Sequence, residues 1–196
     1  MSECVGIIAA LPREIGPLVR GWKEARLPGR IRVYTKGSAV VACAGMGAAR
    51  ATLAIEAAMV VRPVKKLVSA GLAGACDPSL RVGDIVRAGV VVDAKSGELY
   101  SYSQYMQVLV TEQGIAGVKE KRRLYESYGA AAVDMEAAAV ARLAEARGFS
   151  FQAVKAISDE ADFEMQELGR FATQDGQFRD AAFAAYALAR PRLWTK

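Results

Sequence analysis

The chain has 196 residues, one domain of ordinary size, and 53% of them are hydrophobic, so it can bury a core and is neither disordered nor collagen-like. Its 26 Lys and Arg residues outnumber its 21 Asp and Glu residues, which gives a formal net charge of +5. It contains no His, which excludes His-based triads and His metal ligands and leaves Asp, Glu, Lys, Tyr and Cys as available general acids and bases.

Short apolar segments of strand length alternate with longer segments of helical periodicity. In chain order they predict a strand over 5–10, a helix over 14–24, a hairpin of strands 30–36 and 38–44, a helix over 48–61, strands over 66–70, 84–92 and 105–111, a helix over 136–147, a strand over 151–157 and a helix over 178–189. This order predicts one α/β domain over 1–196 with a mixed, largely parallel sheet. Ligands bind such sheets at the carboxyl ends of strands, here at 11–14, 45–47, 71–74 and 158–162.

The basic residues are scattered among acidic ones. The densest basic group, Lys119, Lys121, Arg122 and Arg123, is interrupted by Glu120 and predicts a solvated helix face. Nucleic acid is therefore not an expected partner, because a phosphate-binding surface needs a continuous basic stripe. The sequence has no apolar stretch of about 18 residues, so no membrane span is expected either.

The three cysteines, Cys4, Cys43 and Cys76, lie far apart in small or apolar surroundings and form no CxxC motif. They predict buried free thiols in a reducing compartment. The N-terminal apolar run over 5–11 is too short for a secretory signal and lacks a basic start. We therefore expect a cytoplasmic protein.

Two glycine pairs follow predicted strands. Gly45 and Gly47 open a helix, where backbone N–H groups could bind an anion with help from Arg50, but a purely structural turn explains the pair equally well. The pair lacks the third glycine and the acid of a dinucleotide fingerprint. Gly71 and Gly74 allow close backbone approach, which either a site or tight packing would use.

Acidic residues follow two apolar segments, the run over 129–133 and the predicted strand over 151–157. Asp134 and Glu136 begin a helix, where acids usually serve as caps; the alternative is a carboxylate that binds a sugar diol. Asp159, Glu160 and Asp162 follow a buried strand, where a partly desolvated Asp could keep its proton and act as a general acid, and an ordinary acidic turn is the alternative. Together, glycine turns and acids at strand ends predict a sugar- or nucleoside-sized site.

Four segments, 6–15, 45–51, 69–86 and 133–162, resemble in this order the nucleoside phosphorylase superfamily that includes methylthioadenosine/S-adenosylhomocysteine nucleosidases. The resemblance is closest to short bacterial members of the phosphorylase type, some of them associated with hopanoid synthesis. It implies a three-layer α/β/α fold with a central mixed sheet and a homo-oligomer. It also implies cleavage of the ribosyl C–N bond of a purine nucleoside, with adenine as the expected base, through an oxocarbenium-like transition state.

The resemblance further implies roles for single residues. Asp159 matches the acid that protonates or hydrogen-bonds purine N7, and Ser158 supports its loop. Glu136 matches the carboxylate that binds the ribose hydroxyls, and Met135 packs beneath the sugar. Glu14 matches the residue that activates the attacking water.

This chain also departs from the family pattern. Leu72 stands where nucleosidases commonly have a Ser near the nucleophile, and Lys155 replaces a common Arg. The segment between 86 and 134 is shorter than usual, so 111–116 would have to form the wall of the base pocket. The further substrate-binding residues that the resemblance implies are Ala70, Gly71, Leu72, Gly114 and Ile115.

The group that attacks the sugar is left open between water and phosphate. Glu14 favours water because an ionised Glu repels phosphate, whereas Arg13, Arg50 and Lys155 could form a phosphate cradle around the turn Gly45–Gly47. No metal or cofactor is expected, apart from inorganic phosphate as a candidate co-substrate. The alternative function is a nucleoside-binding module of the same fold that no longer turns over.

Overall fold

The computed structural model describes residues 4–165 together with 171, 173 and 176. Ten strands and four α-helices follow one another along these residues. In chain order they are β1 (Cys4–Ala9), α1 (Pro12–Ile15), β2 (Lys23–Leu27), β3 (Ile31–Lys36), β4 (Ala39–Cys43), α2 (Ala48–Val61), β5 (Val64–Ala75), β6 (Ile85–Asp93), β7 (Leu99–Ser101), β8 (Gln107–Thr111), α3 (Val118–Tyr128), β9 (Ala130–Asp134), α4 (Ala137–Ala146) and β10 (Ser150–Asp159).

The ten strands form one mixed sheet, as predicted. In one half, β1 is parallel to both β4 and β5, and β3 and β2 continue this half beyond β4 with antiparallel pairing. In the other half, β5, β9, β8, β6 and β10 each pair with the next strand, and β10 also pairs with β5. These five strands therefore close into a ring. β7 is not part of this ring and pairs with β6.

Helices cover both faces of the sheet, so the expected three-layer α/β/α arrangement is confirmed. On one face α2 and α4 pack against the sheet and against each other. Because alanine side chains end at Cβ, these helices can approach closely, which explains the many Ala residues in the chain. On the other face Ile15 and Val19 pack against Tyr34 and Val41, and α3 packs against β9 through Leu124. The buried alanines of α2 and α4 are Ala51, Ala54, Ala57, Ala58, Ala137, Ala138, Ala139, Ala141 and Ala144.

The predicted helix over 14–24 is wrong. The helix ends at Ile15, and β2 follows as an antiparallel partner of β3. Pro17 has no N–H to continue the helical hydrogen-bond ladder, and Gly21 has a φ of 76°, which a helix does not allow. Val19, one of the apolar residues whose spacing suggested a helix, lies in a turn and is buried in the core, whereas its neighbour Leu18 is 49% exposed.

The residues 71–74 do not form a turn either. They continue β5, which pairs with β10 from Lys66 to Gly74 and then passes to β9 at Gly74 and Ala75. The strand predicted over 66–70 is therefore the middle of a longer strand. The hairpin around Gly37 and the helix over 48–61 are confirmed, whereas β7 and β9 were not predicted.

The three cysteines are buried and free, as predicted. Among the described residues, no helix has the length and apolar character needed to cross a membrane. The predicted helix over 178–189 and the basic segment that follows it lie outside the described residues.

Candidate active site

A cavity of about 300 Å³ lies beside the carboxyl ends of β1, β8, β9 and β10 and the second half of β5. This is the place at which an α/β sheet binds its ligands. The predicted site residues that line the cavity are Glu14, Leu72, Gly114, Ile115, Met135, Glu136, Ser158 and Asp159. The other predicted site residues lie outside its lining: Ala70, Gly71, Gly45, Gly47, Arg50 and Lys155.

At one place in the cavity wall, the Asp159 carboxylate is held by two side chains. Its Oδ2 accepts a hydrogen bond from Lys121 Nζ, and its Oδ1 lies 2.6 Å from Ser158 Oγ. Ser158 Oγ is also 3.2 Å from the Ala73 carbonyl oxygen, which ties the end of β10 to β5. Ser158 thus contacts both Asp159 and the neighbouring strand.

Gly74 makes room for this arrangement. A Cβ at Gly74 would stand 2.9 Å from Asp159 Oδ2 and 3.1 Å from Lys121 Cε, closer than ordinary van der Waals contacts. A side chain at this position would displace the ion pair. The glycine is therefore explained by close approach to Asp159 and Lys121, one of the two interpretations that its sequence position allowed.

The prediction that the basic group of α3 is a solvated face is wrong for Lys121. Its side chain is 1% exposed and lines the cavity, whereas Arg122 and Arg123 face solvent. Lys121 is three residues before the buried Leu124, so both lie on the inner face of α3. The spacing of three residues from Leu124 could have indicated from the sequence that Lys121 is buried.

A second charged group contains Asp134, Glu136 and Lys155. Lys155 Nζ lies 2.8 Å from Asp134 Oδ2 and 3.9 Å from Glu136 Oε2, and its side chain is 2% exposed. Asp134 also accepts hydrogen bonds from Thr111 Oγ1 at 2.7 Å and from the Ala137 N–H at 2.9 Å. Asp134 therefore satisfies the first N–H of α4, although the N-cap position itself is occupied by Glu136.

Glu136 has a different environment from Asp134. Its Oε1 accepts the Gly47 N–H at 2.8 Å, and its side chain lines the cavity. Burial raises the pKa of Glu136 to about 7, with Asp134 adding to the rise and Lys155 opposing it. Lys155 itself is a cation, because the nearby carboxylates raise its pKa more than burial lowers it.

Glu14 lies close to this second group. Its Oε2 accepts the Ala10 N–H at 3.2 Å, and burial raises its pKa while Lys155 opposes the rise. Gly71, with a φ of 140°, leaves space for this carboxylate: a Cβ there would be 2.6 Å from Glu14 Oε2 and 3.9 Å from Lys155 Nζ. Gly71 therefore positions Glu14, and its neighbour Ala70 pairs with Val154 within the sheet.

The turn before α2 has its backbone N–H groups engaged. The Gly45 N–H donates to the Ala10 carbonyl at 2.9 Å, the Met46 N–H to the Gly176 carbonyl at 2.6 Å, and the Gly47 N–H to Glu136. An anion at this turn would have to displace these acceptors.

Arg50 is likewise engaged with backbone. Its Nε donates to the Ala44 carbonyl at 2.6 Å, and its Nη2 donates to the Gly29 carbonyl at 2.5 Å. These two contacts hold the start of α2 against the segments before β3 and after β4. The part of the chain that the structure describes contains no group of three or more Cys, Asp or Glu side chains arranged to hold a metal.

Comparison with known proteins gives the same fold. The phosphorylase superfamily profile matches residues 5–105 and 100–190. No curated protein sequence matches the chain significantly. A mutant of the Helicobacter pylori 5′-methylthioadenosine/S-adenosylhomocysteine nucleosidase with 5′-methylthioadenosine in its active site is 21% identical, with a TM-score of 0.73 over 86% of this chain and 90% of its own.

Two further solved structures are similar to a comparable degree. The futalosine hydrolase of Helicobacter pylori is 22% identical, with a TM-score of 0.69 over 81% of this chain and 88% of its own. The S-adenosylhomocysteine nucleosidase of Streptococcus pyogenes is 22% identical, with a TM-score of 0.69 over 82% of this chain and 86% of its own. These structures share the fold, and together with the profile match over nearly the whole sequence they show that the chain belongs to the phosphorylase superfamily.

Proposed function

We propose that the protein is a nucleosidase that hydrolyses the N-glycosidic bond of a purine nucleoside, with adenine as the leaving base. The observation that carries the proposal is that one cavity contains two separate acidic groups, Asp159 with Lys121 and Glu14 with Glu136. Gly71 and Gly74, which border the two groups, are three residues apart on β5, or roughly 10 Å along the strand. The family and the nucleosidases of the same fold support this assignment.

Each acidic group has the environment that its part of the reaction needs. Hydrolysis of a glycosidic bond uses one acid to protonate the leaving group and a second carboxylate to activate water. Asp159 would serve the leaving base, since it lies beside two side chains that can carry protons, Lys121 and Ser158. Glu14 would accept the proton of water, because a carboxylate with a raised pKa is a stronger base and the Lys155 cation favours its ionised form.

Glu136 and Met135 would bind the sugar. Both line the cavity, and the Gly47 N–H holds one oxygen of Glu136 so that the other faces Lys155 at 3.9 Å. A carboxylate oxygen at the cavity wall can accept hydrogen bonds from ribose hydroxyls. The negative charge of Glu136 would also stabilise a cationic oxocarbenium-like transition state.

Water is favoured over phosphate as the attacking group by the local charge. Three carboxylates, Glu14, Asp134 and Glu136, lie around the Lys155 cation, and Arg13 is a further cation that acts on Glu14. Like charges in a buried site repel strongly. The N–H groups of the turn Gly45–Gly47 already have acceptors, and Arg50 donates to backbone carbonyls. A phosphate at this place would therefore need charge compensation from other groups.

The test is release of the free base from adenosine, inosine, methylthioadenosine and 5′-extended adenosyl compounds, measured with and without inorganic phosphate. We expect release that does not depend on phosphate and gives the free sugar. Release that requires phosphate and yields a sugar 1-phosphate would contradict hydrolysis and establish a phosphorylase. Thermal stabilisation by a nucleoside with no product from any compound would support a nucleoside-binding module instead.

A further inference from the structure

Lys121 donates three hydrogen bonds, and the proposed hydrolysis gives this residue no role. Its Nζ donates to Asp159 Oδ2, to the Glu160 carbonyl at 2.8 Å and to the Phe163 carbonyl at 3.0 Å. Three acceptors match the three N–H bonds of an ammonium group. Backbone carbonyls can only accept, so these two take two of the N–H bonds of Lys121 and leave the third directed at Asp159, with which Lys121 forms a buried ion pair.

In this ion pair Lys121 is the hydrogen-bond donor and the Asp159 carboxylate is the acceptor. A carboxylate can accept a hydrogen bond from a protonated base, but it has no proton to give. A purine base leaves readily only when a ring nitrogen takes up a proton as the C–N bond breaks. An acid role for Asp159 therefore requires a proton donor in contact with it, and Lys121 is in that position.

We propose that Lys121 supplies, through Asp159, the proton that the leaving purine takes up; this inference rests on the proposed function. As the bond from C1′ to the base breaks, its electron pair stays with the base, Lys121 gives a proton to Asp159, and Asp159 passes a proton to purine N7. Water adds to C1′ and gives its proton to Glu14. The step ends with a neutral base, a neutral Lys121 amine and a protonated Glu14. Glu14 then gives its proton to solvent, and solvent returns a proton to Lys121.

If Lys121 supplies a proton, its loss should slow substrates whose leaving group must be protonated and should not slow substrates whose leaving group departs as an anion. A purine needs one, whereas p-nitrophenolate leaves as a stable anion. The same sugar can therefore be offered with either leaving group. A residue that only supports the fold would affect both substrates alike, but a residue that supplies the proton affects the purine substrate alone.

The experiment compares Lys121→Met with Lys119→Met, an exposed lysine on the same helix. The substrates are the best purine nucleoside of the panel and the p-nitrophenyl glycoside of the same sugar. We expect Lys121→Met to lower kcat for the purine nucleoside by about 10²- to 10⁴-fold, the usual contribution of a general acid, with little change in KM. Turnover of the p-nitrophenyl glycoside, and both activities of Lys119→Met, should stay close to those of the original protein.

Lys121→Arg covers the case in which Lys121→Met does not fold. It keeps a cation beside Asp159 that does not give up its proton near neutral pH, so it should lose purine release and keep turnover of the p-nitrophenyl glycoside. Lys121→Ala, assayed with added ethylammonium, should regain purine release, whereas guanidinium, a cation that does not give up its proton near neutral pH, should not restore it. Rescue by both cations, or equal loss of both substrates in a folded variant, would overturn the proposal in favour of a structural or purely electrostatic role.

Asp159→Asn separates a failure of this inference from a failure of the proposed function. If Asp159→Asn keeps full purine release, the assignment of Asp159 as the acid is wrong, and the proposed mechanism fails with it. If Asp159→Asn loses purine release while Lys121→Met keeps it, only the role of Lys121 is wrong.

Discussion

Gly74→Ala should impair the leaving-group side of the cavity without changing a charged residue. The added Cβ would lie 2.9 Å from Asp159 Oδ2 and 3.1 Å from Lys121 Cε, whereas ordinary contacts begin at 3.4 Å. The carboxylate must therefore move by roughly 0.5 Å, because the methyl group is fixed to the strand that pairs with β10. The backbone of Gly74 is not in the left-handed region, so the effect isolates this close approach.

The expected effects of Gly74→Ala follow from this displacement. Overpacking of a filled interior costs about 1–3 kcal/mol, and each kcal/mol lowers Tm by roughly 2–4 °C for a chain of this size. A catalytic group displaced by about 1 Å can cost on the order of 10²-fold in rate, so we expect roughly a tenfold or greater loss of kcat for purine release.

Gly16→Ala is the matched control for this experiment. Gly16 lies in the right-handed helical region, and a Cβ there would make only ordinary contacts of 3.6 Å or more. Base release would be followed by the change in ultraviolet absorbance, and Tm by differential scanning calorimetry. A Gly74→Ala protein with the kcat and Tm of the original would refute the argument that Asp159 and Lys121 require this glycine.

Three further predictions concern buried charges and thiols. Burial raises the pKa of Glu136 to about 7, so the folded state binds more protons than the unfolded state from about pH 4.5 to 7. The free energy of unfolding, measured with urea, should therefore fall as the pH rises through this range. In Glu136→Gln this fall should be smaller. Asp134→Asn should lower the free energy of unfolding by about 3–5 kcal/mol, since it breaks a buried ion pair, while Arg123→Gln, at an exposed pair, should cost less than about 1 kcal/mol. Burial raises the pKa of Cys43 to about 11 and that of Cys76 to about 12, so iodoacetamide at pH 8 should modify these thiols only after unfolding; rapid modification of the folded protein would contradict this.

Local signals predicted some elements correctly because the residues that decide them are neighbours in sequence. The hairpin of β3 and β4 follows from two apolar segments around Gly37, which has a φ of 55°. The helix Ala48–Val61 follows from good helix formers bounded by Gly47 and by Pro63. In both cases the side-chain pattern and the residues at the ends of the element predict the same secondary structure, and the folded protein contains it.

Other predictions failed where distant strands decided the outcome. Lys23–Leu27 is a strand because it pairs with β3, although its neighbours had the spacing of a helix. Residues 71–74 stay extended because β10 and β9 provide pairing partners from far along the chain. Neither partner can be inferred from the segment itself, since β propensity depends on the strand that lies alongside.

The same division holds for the candidate site. By itself, the sequence determined the α/β class and, through the family resemblance, indicated the acidic residues Glu14, Glu136 and Asp159, all of which line the cavity. Only the tertiary structure decided that Lys121 of α3 is buried against Asp159 and that Lys155 bridges Asp134 and Glu136. Lys121 would be exposed on an isolated helix. It is buried here because Asp159, 38 residues away in the sequence, forms an ion pair with it, and only folding brings these two residues together.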